Sequence, residues 1–534
     1  MKGTLNLVRF ILRRERVIST IWVLSLSLFS IGLAVGVGDM FDFDARMELV
    51  EMLRNPAMVA MAGPVYGVDN FTVGAMFSVL MLLWTGLAVG TMNILLVVRH
   101  TRADEERGRA EVVRSLPTGR LANLNATIVT AVIVNIVLAL ITGLGIGAMG
   151  IESMDMGGAI LYGAVLGAVG LFFAAVTALF CQLSQSSRGA TGYSFLTLGV
   201  LYMVRAAGDA GGNEVLACLS ALGLSQRVQA FIENNWWPVI LILLQAVVIA
   251  VIAYVLNSRR DLDQGFIPAK PGRADAKKSF STAFSLAFKL SKNVLIIWLI
   301  IFFCLGASYG SVLGDIDSFI ETSEFYQMVV GVGRVIGFTN EELFAVMVNS
   351  LAALVCLVPL INVALKTRGE ESEGRAEHIL TRSVSRHKYL ASYAIIAFVS
   401  AALFQITTAI GLYASASQVL ENPDLLSLGF LLQANIVYTP ALWVMIGGAI
   451  LLVGLFPKAT SAIWVYFAFT FFASFVGRML ELPKWLTVIT PFDHVPQLPM
   501  EDINYLTMTV LTLIAAGLTA AGFYFYRKRD MLTT

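Results

Sequence analysis

Apolar runs of membrane-spanning length, separated by short polar connections, set the pattern of this 534-residue chain. A helix needs roughly 20 predominantly apolar residues to cross the hydrocarbon core. Twelve stretches approach or meet that length: 17–38, 71–98, 122–149, 157–183, 190–206 and 236–256 in the first half, and 294–313, 342–365, 389–414, 428–456, 461–475 and 506–526 in the second. Ahead of the first, residues 2–16 set Leu5, Val8, Phe10 and Leu12 beside Arg9, Arg13, Arg14 and Arg16. A spacing of three to four gives one apolar and one basic face, which predicts a helix lying in the membrane interface. A plain positively charged anchor before a span is the competing reading.

Composition removes the soluble classes. Hydrophobic residues make up 57% and charged residues 14% of the chain, with a mean hydropathy of +0.76, whereas soluble chains carry about 25% charged residues. No stretch outside the spans exceeds about 40 residues, too little for a separate soluble enzyme domain. The predicted architecture is an all-α polytopic membrane protein. The four cysteines show no metal-ligand spacing, the histidines are dispersed, and no Ser/His/Asp or paired-carboxylate arrangement stands out. No catalytic residues and no metal site are predicted, nor does anything point to nucleic acid.

The most charged segment occurs twice. Thr101–Arg120 reads TRADEERGRAEVVRSLPTGR and Thr367–Arg386 reads TRGEESEGRAEHILTRSVSR, with Thr101, Arg102, Glu105, Gly108, Arg109, Ala110, Glu111 and Arg120 matched at an offset of 266 residues by Thr367, Arg368, Glu371, Gly374, Arg375, Ala376, Glu377 and Arg386. Other landmarks recur in the same order. Trp22 and Gly38-Asp39 return as Trp298 and Gly314-Asp315, and Arg260-Asp261 returns as Arg529-Asp530. The chain therefore divides into a first six-span half (1–257), a linker with a second interfacial helix (258–292) and a second six-span half (293–534). Six spans per half is an even number, so the halves are expected to be parallel repeats.

Charge orients them. With both termini inside, only Arg46, Arg54, Arg205, Arg227, Arg334, Arg478 and Lys484 of the 37 Lys and Arg fall outside or near the outer ends. That is the bias that sets orientation, and it places both charged segments in the cytoplasm. Acids early and bases late in residues 104–114 favour a short helix by its dipole. Glu105 and Arg109 form a candidate i,i+4 pair worth about 0.3–0.5 kcal/mol, and Pro117 and Gly119 stop the helix. A solvated loop obeying the charge rule explains the Lys and Arg, but not the Glu and Gly matched in both copies.

The pattern Glu105-x-x-Gly108-x-x-Glu111, then Leu116-Pro117-x-x-Arg120, between the second and third spans resembles the coupling helix of type-2 ABC exporter permeases. The double repeat, the Arg-Asp after each sixth span, and Thr490-Pro491-Phe492-Asp493-His494-Val495-Pro496 resemble the polyketide-antibiotic (tetronasin-type) exporter permeases over nearly the whole chain. That resemblance implies a G-subfamily-like fold in a bacterial plasma membrane. It implies coupling residues Glu105, Gly108, Arg109, Glu111, Pro117, Arg120, Glu371, Gly374, Arg375, Glu377 and Arg386. The second copy departs from the pattern, with Ser383 and Ser385 where the first has Pro117 and Gly119. The resemblance further implies two copies of a separate ABC ATPase, because this chain has no GxxxxGK[ST] loop of the kind that cradles phosphates. ATP and Mg then belong to the partner, and this chain holds no cofactor.

By the same resemblance, Phe77, Trp84, Asn93, Tyr202, Asn349, Trp464, Tyr466 and Phe471 are candidate cavity residues for a hydrophobic small molecule; ordinary helix packing explains them as well. The excursions 209–235 and 480–505 are expected to be re-entrant outer lids, with surface loops as the alternative. Arg205 and Arg478 at the outer span ends are either functional, with Asp209 and Glu481 as partners, or snorkelling anchors. The function expected is ATP-driven export of hydrophobic or amphipathic compounds. An ion-driven secondary multidrug transporter is the alternative, against which stands the lack of acids in the span centres. A non-transporting membrane scaffold or sensor that binds an ATPase is a third.

Overall fold

The computed structural model describes residues 3–40, 43–54, 56–261, 264–267, 282–316, 338–382, 384–420, 426–476 and 483–530. The centre of the expected linker (268–281), Arg334, and Arg478 with its suggested partner Glu481 lie outside them. The chain forms two compact units, Met1–Gly272 and Arg273–Thr534. Among the described residues both are built from helices, with one isolated bridge between Ser184 and Ile267.

Among the described residues, ten helical stretches are long and apolar enough to cross a membrane, five in each unit. Two expected spans fall outside that set. Ser187–Ala210 is a 24-residue helix but includes Arg188, Arg205 and Asp209, and Ala462–Phe471 is short, continued by a π-helical turn at Phe472–Val476. Polar positions between the runs cap the helices. Thr72, Asp155 and Ser186 accept backbone N–H groups at the starts of Val73–His100, Met156–Leu183 and Ser187–Ala210. Thr339 and Glu342 cap each other's backbone at the start of Asn340–Ser372, satisfying donors that a helix start leaves open. The expected 428–456 span divides at Val437–Tyr438 into Leu428–Ile436 and Thr439–Leu455, with Pro440 in the second piece's first turn.

The N-terminus corrects one expectation. Residues Thr4–Met40 form a single helix, about 55 Å long at 1.5 Å per residue, so the basic segment continues the first span instead of folding into a separate interfacial helix. Its basic stretch is held elsewhere. Arg14 makes a bidentate pair with Asp104 at 2.6 and 3.0 Å, and buried Glu15 accepts from Arg99 at 2.8 Å and meets His100 Nε2 at 2.8 Å. These bonds draw the rod along the second span.

The excursion after Ala210 is not a surface loop. Its helix Ala221–Gln226 is buried throughout, and Leu222 and Leu224 belong to the unit's apolar core. Phe231 is held in the left-handed region at φ 66, with its ring 6.3 Å from Phe77 and 6.4 Å from Tyr162. Such a backbone costs of order 1–3 kcal/mol for a bulky residue, and packing of the ring offsets it. In the second unit Pro491, Phe492 and Val495 are likewise buried, while Trp485, Val488 and Ile489 are exposed.

Small residues bring membrane helices close. A Cβ on Gly411 would stand 2.2 Å from Phe303 O, and one on Gly306 would stand 2.3 Å from Thr408 O, locking Ala283–Val312 onto Arg386–Val419. Gly454 and Gly522 face each other between Thr439–Leu455 and Tyr505–Lys528. Gly411→Leu should destabilise the detergent-solubilised protein by about 1–3 kcal/mol through overpacking, read as a lowered thermal midpoint. Gly517, with nothing within 4 Å of its would-be Cβ, should tolerate Ala without loss.

Candidate functional site

The repeated charged segment is two short helices in the first unit, and the end of a long helix followed by one short helix in the second. Helix Val73–His100 continues through Thr101 into Arg102–Glu106; the chain then turns at Gly108 and enters Arg109–Arg114. Gly108 has φ 69, a conformation that favours glycine. The second unit repeats the turn at Gly374, φ 71, between Asn340–Ser372 and Arg375–Leu380. A single helix from Asp104 onward is therefore corrected: the glycine breaks it. With the break the Glu105–Arg109 pair is lost too, and Arg109 meets Asp104 at 3.2 Å instead.

Glu105 is spent inward. It lies between Arg102, 2.6 Å away, and Arg260 at the end of the sixth expected span, and all three side chains are buried. Arg102 also donates to the carbonyls of Gln185 and Gln264, and Arg120 donates to the carbonyl of Arg260 at 2.6 Å. Beside this clasp, Glu106 accepts from Ser187 N–H at 2.7 Å and from its hydroxyl.

Corresponding residues make corresponding bonds in the second unit. Glu371 pairs with Arg529 at 2.6 Å, Arg386 donates to the carbonyl of Arg529 at 2.7 Å, and Arg368 donates to that of Pro457 at 2.9 Å. Arg375 meets Glu370 at 2.6 Å, as Arg109 meets Asp104. The hydrogen bond to Glu370 holds the Arg375 guanidinium above its ordinary range. Lys366, 266 residues after His100, donates to Leu290 O and Ser291 where His100 meets Glu15.

The predicted residues thus sort into two groups. Glu105, Arg120, Glu371 and Arg386 tie the segments to their own unit; Gly108 and Gly374 make the turn, and Ala110 and Ala376 bury its inner side. Glu111 and Glu377 point the other way. Both are exposed, and neither carboxylate has a hydrogen-bond or ion-pair partner among the described residues. Pro117 is exposed beside Leu116, and Val112 is 68% exposed one residue from Glu111. Sequence reading took Arg260-Asp261 and Arg529-Asp530 as landmarks only; the arginines are the partners of the segments' buried acids. Their matching order was the available signal. Asp104 and Glu370 were not singled out, although both are acids at one offset.

The candidate cavity residues do not converge within a unit. Phe77, Asn93 and Asn349 are buried in their own unit's core. Asn93 and Asn135 exchange two amide bonds at 3.1 and 2.7 Å, and Asn435 donates to Asn349 at 3.0 Å. Tyr202 and Tyr466 donate their hydroxyls to Met61 O and Ile489 O, tying their helices to those connecting segments. Trp464 and Phe471 are half-buried, and Trp84 is exposed. Arg205 is no snorkelling anchor: it is fully buried, pairs with Asp209 at 3.5 Å and donates to Ala60 O and Met61 O at 2.6 and 3.2 Å. Its guanidinium closes the carbonyl end of helix Pro56–Ala62, where cations are favoured.

Removing Glu105 leaves two arginines buried without their counter-charge, a change that costs roughly 3–5 kcal/mol. Glu105→Ala is therefore expected to lower the unfolding midpoint steeply, with partial recovery in the Glu105→Gln/Arg260→Met double variant. Glu111→Ala should stay within about 0.5 kcal/mol of the parent, as exposed sites do. Equal losses at the two positions in thermal denaturation would contradict the division into buried clasp and free carboxylate.

The family model described as "Multidrug efflux system permease Rv1217c, C-terminal domain" matches residues 7–256 and 280–527. The multidrug efflux system permease protein Rv1217c of Mycobacterium tuberculosis (strain ATCC 25618 / H37Rv) is 32% identical over 540 residues, covering 99% of this chain and 95% of that relative. With similarity running the length of both chains, and with ten membrane-length apolar stretches among the described residues, this chain belongs to the Rv1217c family of multidrug efflux system permeases.

Proposed function

We propose that this permease is the membrane subunit of an ATP-driven ABC exporter that moves hydrophobic or amphipathic compounds, antibiotics among them, out of a bacterial cell. Two copies of a separate ATPase subunit bind ATP and Mg and drive it through Thr101–Arg120 and Thr367–Arg386. In this reading Ser187–Ala210 and Ala462–Val476 complete twelve spans in two parallel six-span repeats of the type-2, G-subfamily-like fold, within which the chain sides with the polyketide-antibiotic exporters. Both termini and both segments face the cytoplasm.

One observation carries the proposal. Glu111 and Glu377 stand at matching places on two short helices, exposed and without a partner among the described residues, while the acid six residues before each is buried in an ion pair that fixes the helix to its unit. A handle must do both things: hold firmly to what it moves, and present a free group to what moves it. The name of the relative adds the efflux class, and the gathering of basic residues at the clasped ends agrees with a cytoplasmic placement. A partner whose closure favours one arrangement of the segments shifts the permease between its states only by the difference in binding free energy.

The expected result for Glu111→Ala and Glu377→Ala is that each weakens ATPase co-purification or transport-coupled ATP hydrolysis roughly tenfold, equivalent to about 1.4 kcal/mol, with the thermal midpoint unchanged. Purification with the ATPase should yield two copies per permease. Undiminished coupling in the double variant, or drug transport in vesicles driven by an ion gradient without ATP, would reject the proposal.

A further inference from the structure

The first unit has an open trough on its apolar surface. Helices Ala122–Ala148 and Trp237–Arg259 both pack on Met156–Leu183, and between them lies a cavity of about 330 Å³. Its floor on the middle helix has the small residues Ala164, Gly167 and Ala168 at its centre, between Ile160 and Leu171. One wall carries Ile136, Leu140 and Leu144, each about half exposed; the other carries Val239 and Leu243, with Trp236 at the end. In the second unit the helices in the corresponding places, Arg386–Val419 and Tyr505–Lys528, pack directly against each other.

From its length, polarity and ends, we infer that this trough binds one acyl chain of a membrane phospholipid, drawn from the leaflet opposite the Glu105 clasp. Asn135 to Leu144 spans ten residues, about 14 Å of helix rise over the steps between them. That is close to half of a hydrocarbon core about 30 Å thick, so the trough is one leaflet deep. Its inner end offers no hydrogen bond. Asn135 is the only lining residue there with a polar side chain, and its amide oxygen and nitrogen are both committed to Asn93, the nitrogen also to Ala131 O. A methyl-terminated chain fits such an end, whereas a polar group there would be left unpaired at a cost. The outer end has the opposite character. Trp236 stands 47% exposed at the start of the helix whose far end leads into Arg260, and Trp favours the headgroup level of a bilayer. The ends therefore set the direction: tail toward Asn135, headgroup at Trp236.

The test uses the full-length permease in nanodiscs of phosphatidylcholine and phosphatidylglycerol, with a trace of phosphatidylcholine carrying a diazirine at the end of one acyl chain. After illumination, adducts mapped by mass spectrometry should be enriched at least about fivefold, equivalent to roughly 1 kcal/mol, in peptides spanning 135–144 and 164–171. The reference is the exposed apolar face at Leu196 and Met203. Ala164→Phe, which fills the floor, should abolish the enrichment while Leu196→Phe leaves it. If Ala164→Phe does not fold, Ala139→Leu fills the same trough from the wall. Even labelling of all apolar faces, or enrichment that survives a folded filling variant, overturns the inference. So does loss of the adducts on adding tetraphenylphosphonium at transport concentrations, which would assign the trough to a transported cation instead.

Discussion

A charge taken out of water must find its counter-charge, and in each unit a single carboxylate meets that requirement for several chain segments at once. Glu105 continues the Val73–His100 helix. Through Arg102 it reaches the Gln185 connection between two further helices, and through Arg260 the end of Trp237–Arg259. Arg120, bonded to the Arg260 carbonyl, brings in the start of Ala122–Ala148. Five membrane-length or near-length helices thus share one ion-paired knot. Apolar packing alone gives weak guidance on how far one helix slides past another, since lipid and side chain are equally apolar. A knot of directional, charge-assisted bonds fixes that register. Glu371 with Arg529 and Arg386 does the same on fewer bonds.

The opposite end of the first unit uses the same physics with different parts. The side chains of Arg205 and Asp209 are fully buried, Arg227 meets Asp209 at 3.2 Å, and Gln226 donates to Ala62 O at 2.5 Å. Here the charges hold the short helices Pro56–Ala62 and Ala221–Gln226 onto the membrane-length ones and close backbone groups that burial cuts off from water. The first unit is therefore fastened by ion pairs at both ends and by packing in between. Its exposed carboxylates gain meaning from that background, because the neighbouring acids of the segment have an internal partner.

Much of this was legible in the sequence. Apolar runs located the helices, and the recurrence of Glu105, Gly108 and Arg120 as Glu371, Gly374 and Arg386 marked the places where matching bonds form. What the residues do was harder to read. Identity at a fixed offset does not separate a buried Glu105 from a free Glu111, because both are acids three residues either side of the same glycine. Only the left-handed turn at Gly108 sends one inward and the other out. The i,i+4 rule failed at Glu105 and Arg109 for the same reason, as it assumes unbroken helix. The apolar content of residues 190–206 and 461–475 predicts spans, yet among the described residues neither helix has the length and apolarity of the ten that do. Burial of Arg205 was hidden as well, since nothing in sequence shows that the carbonyls of Ala60 and Met61 end a helix beside it.

The first helix has a mechanical consequence. Thr4–Met40 runs without a break, and Arg14 and Glu15 moor it to the segment that holds Asp104, Arg99 and His100. From Glu15 to Met40 the rod is about 38 Å long, so tilting about the mooring moves its far end by roughly 0.7 Å for each degree. Proline kinks and helix breaks absorb such motion; this helix has neither. A tilt set at the Arg14–Asp104 pair is therefore carried along one unbroken helix to Met40.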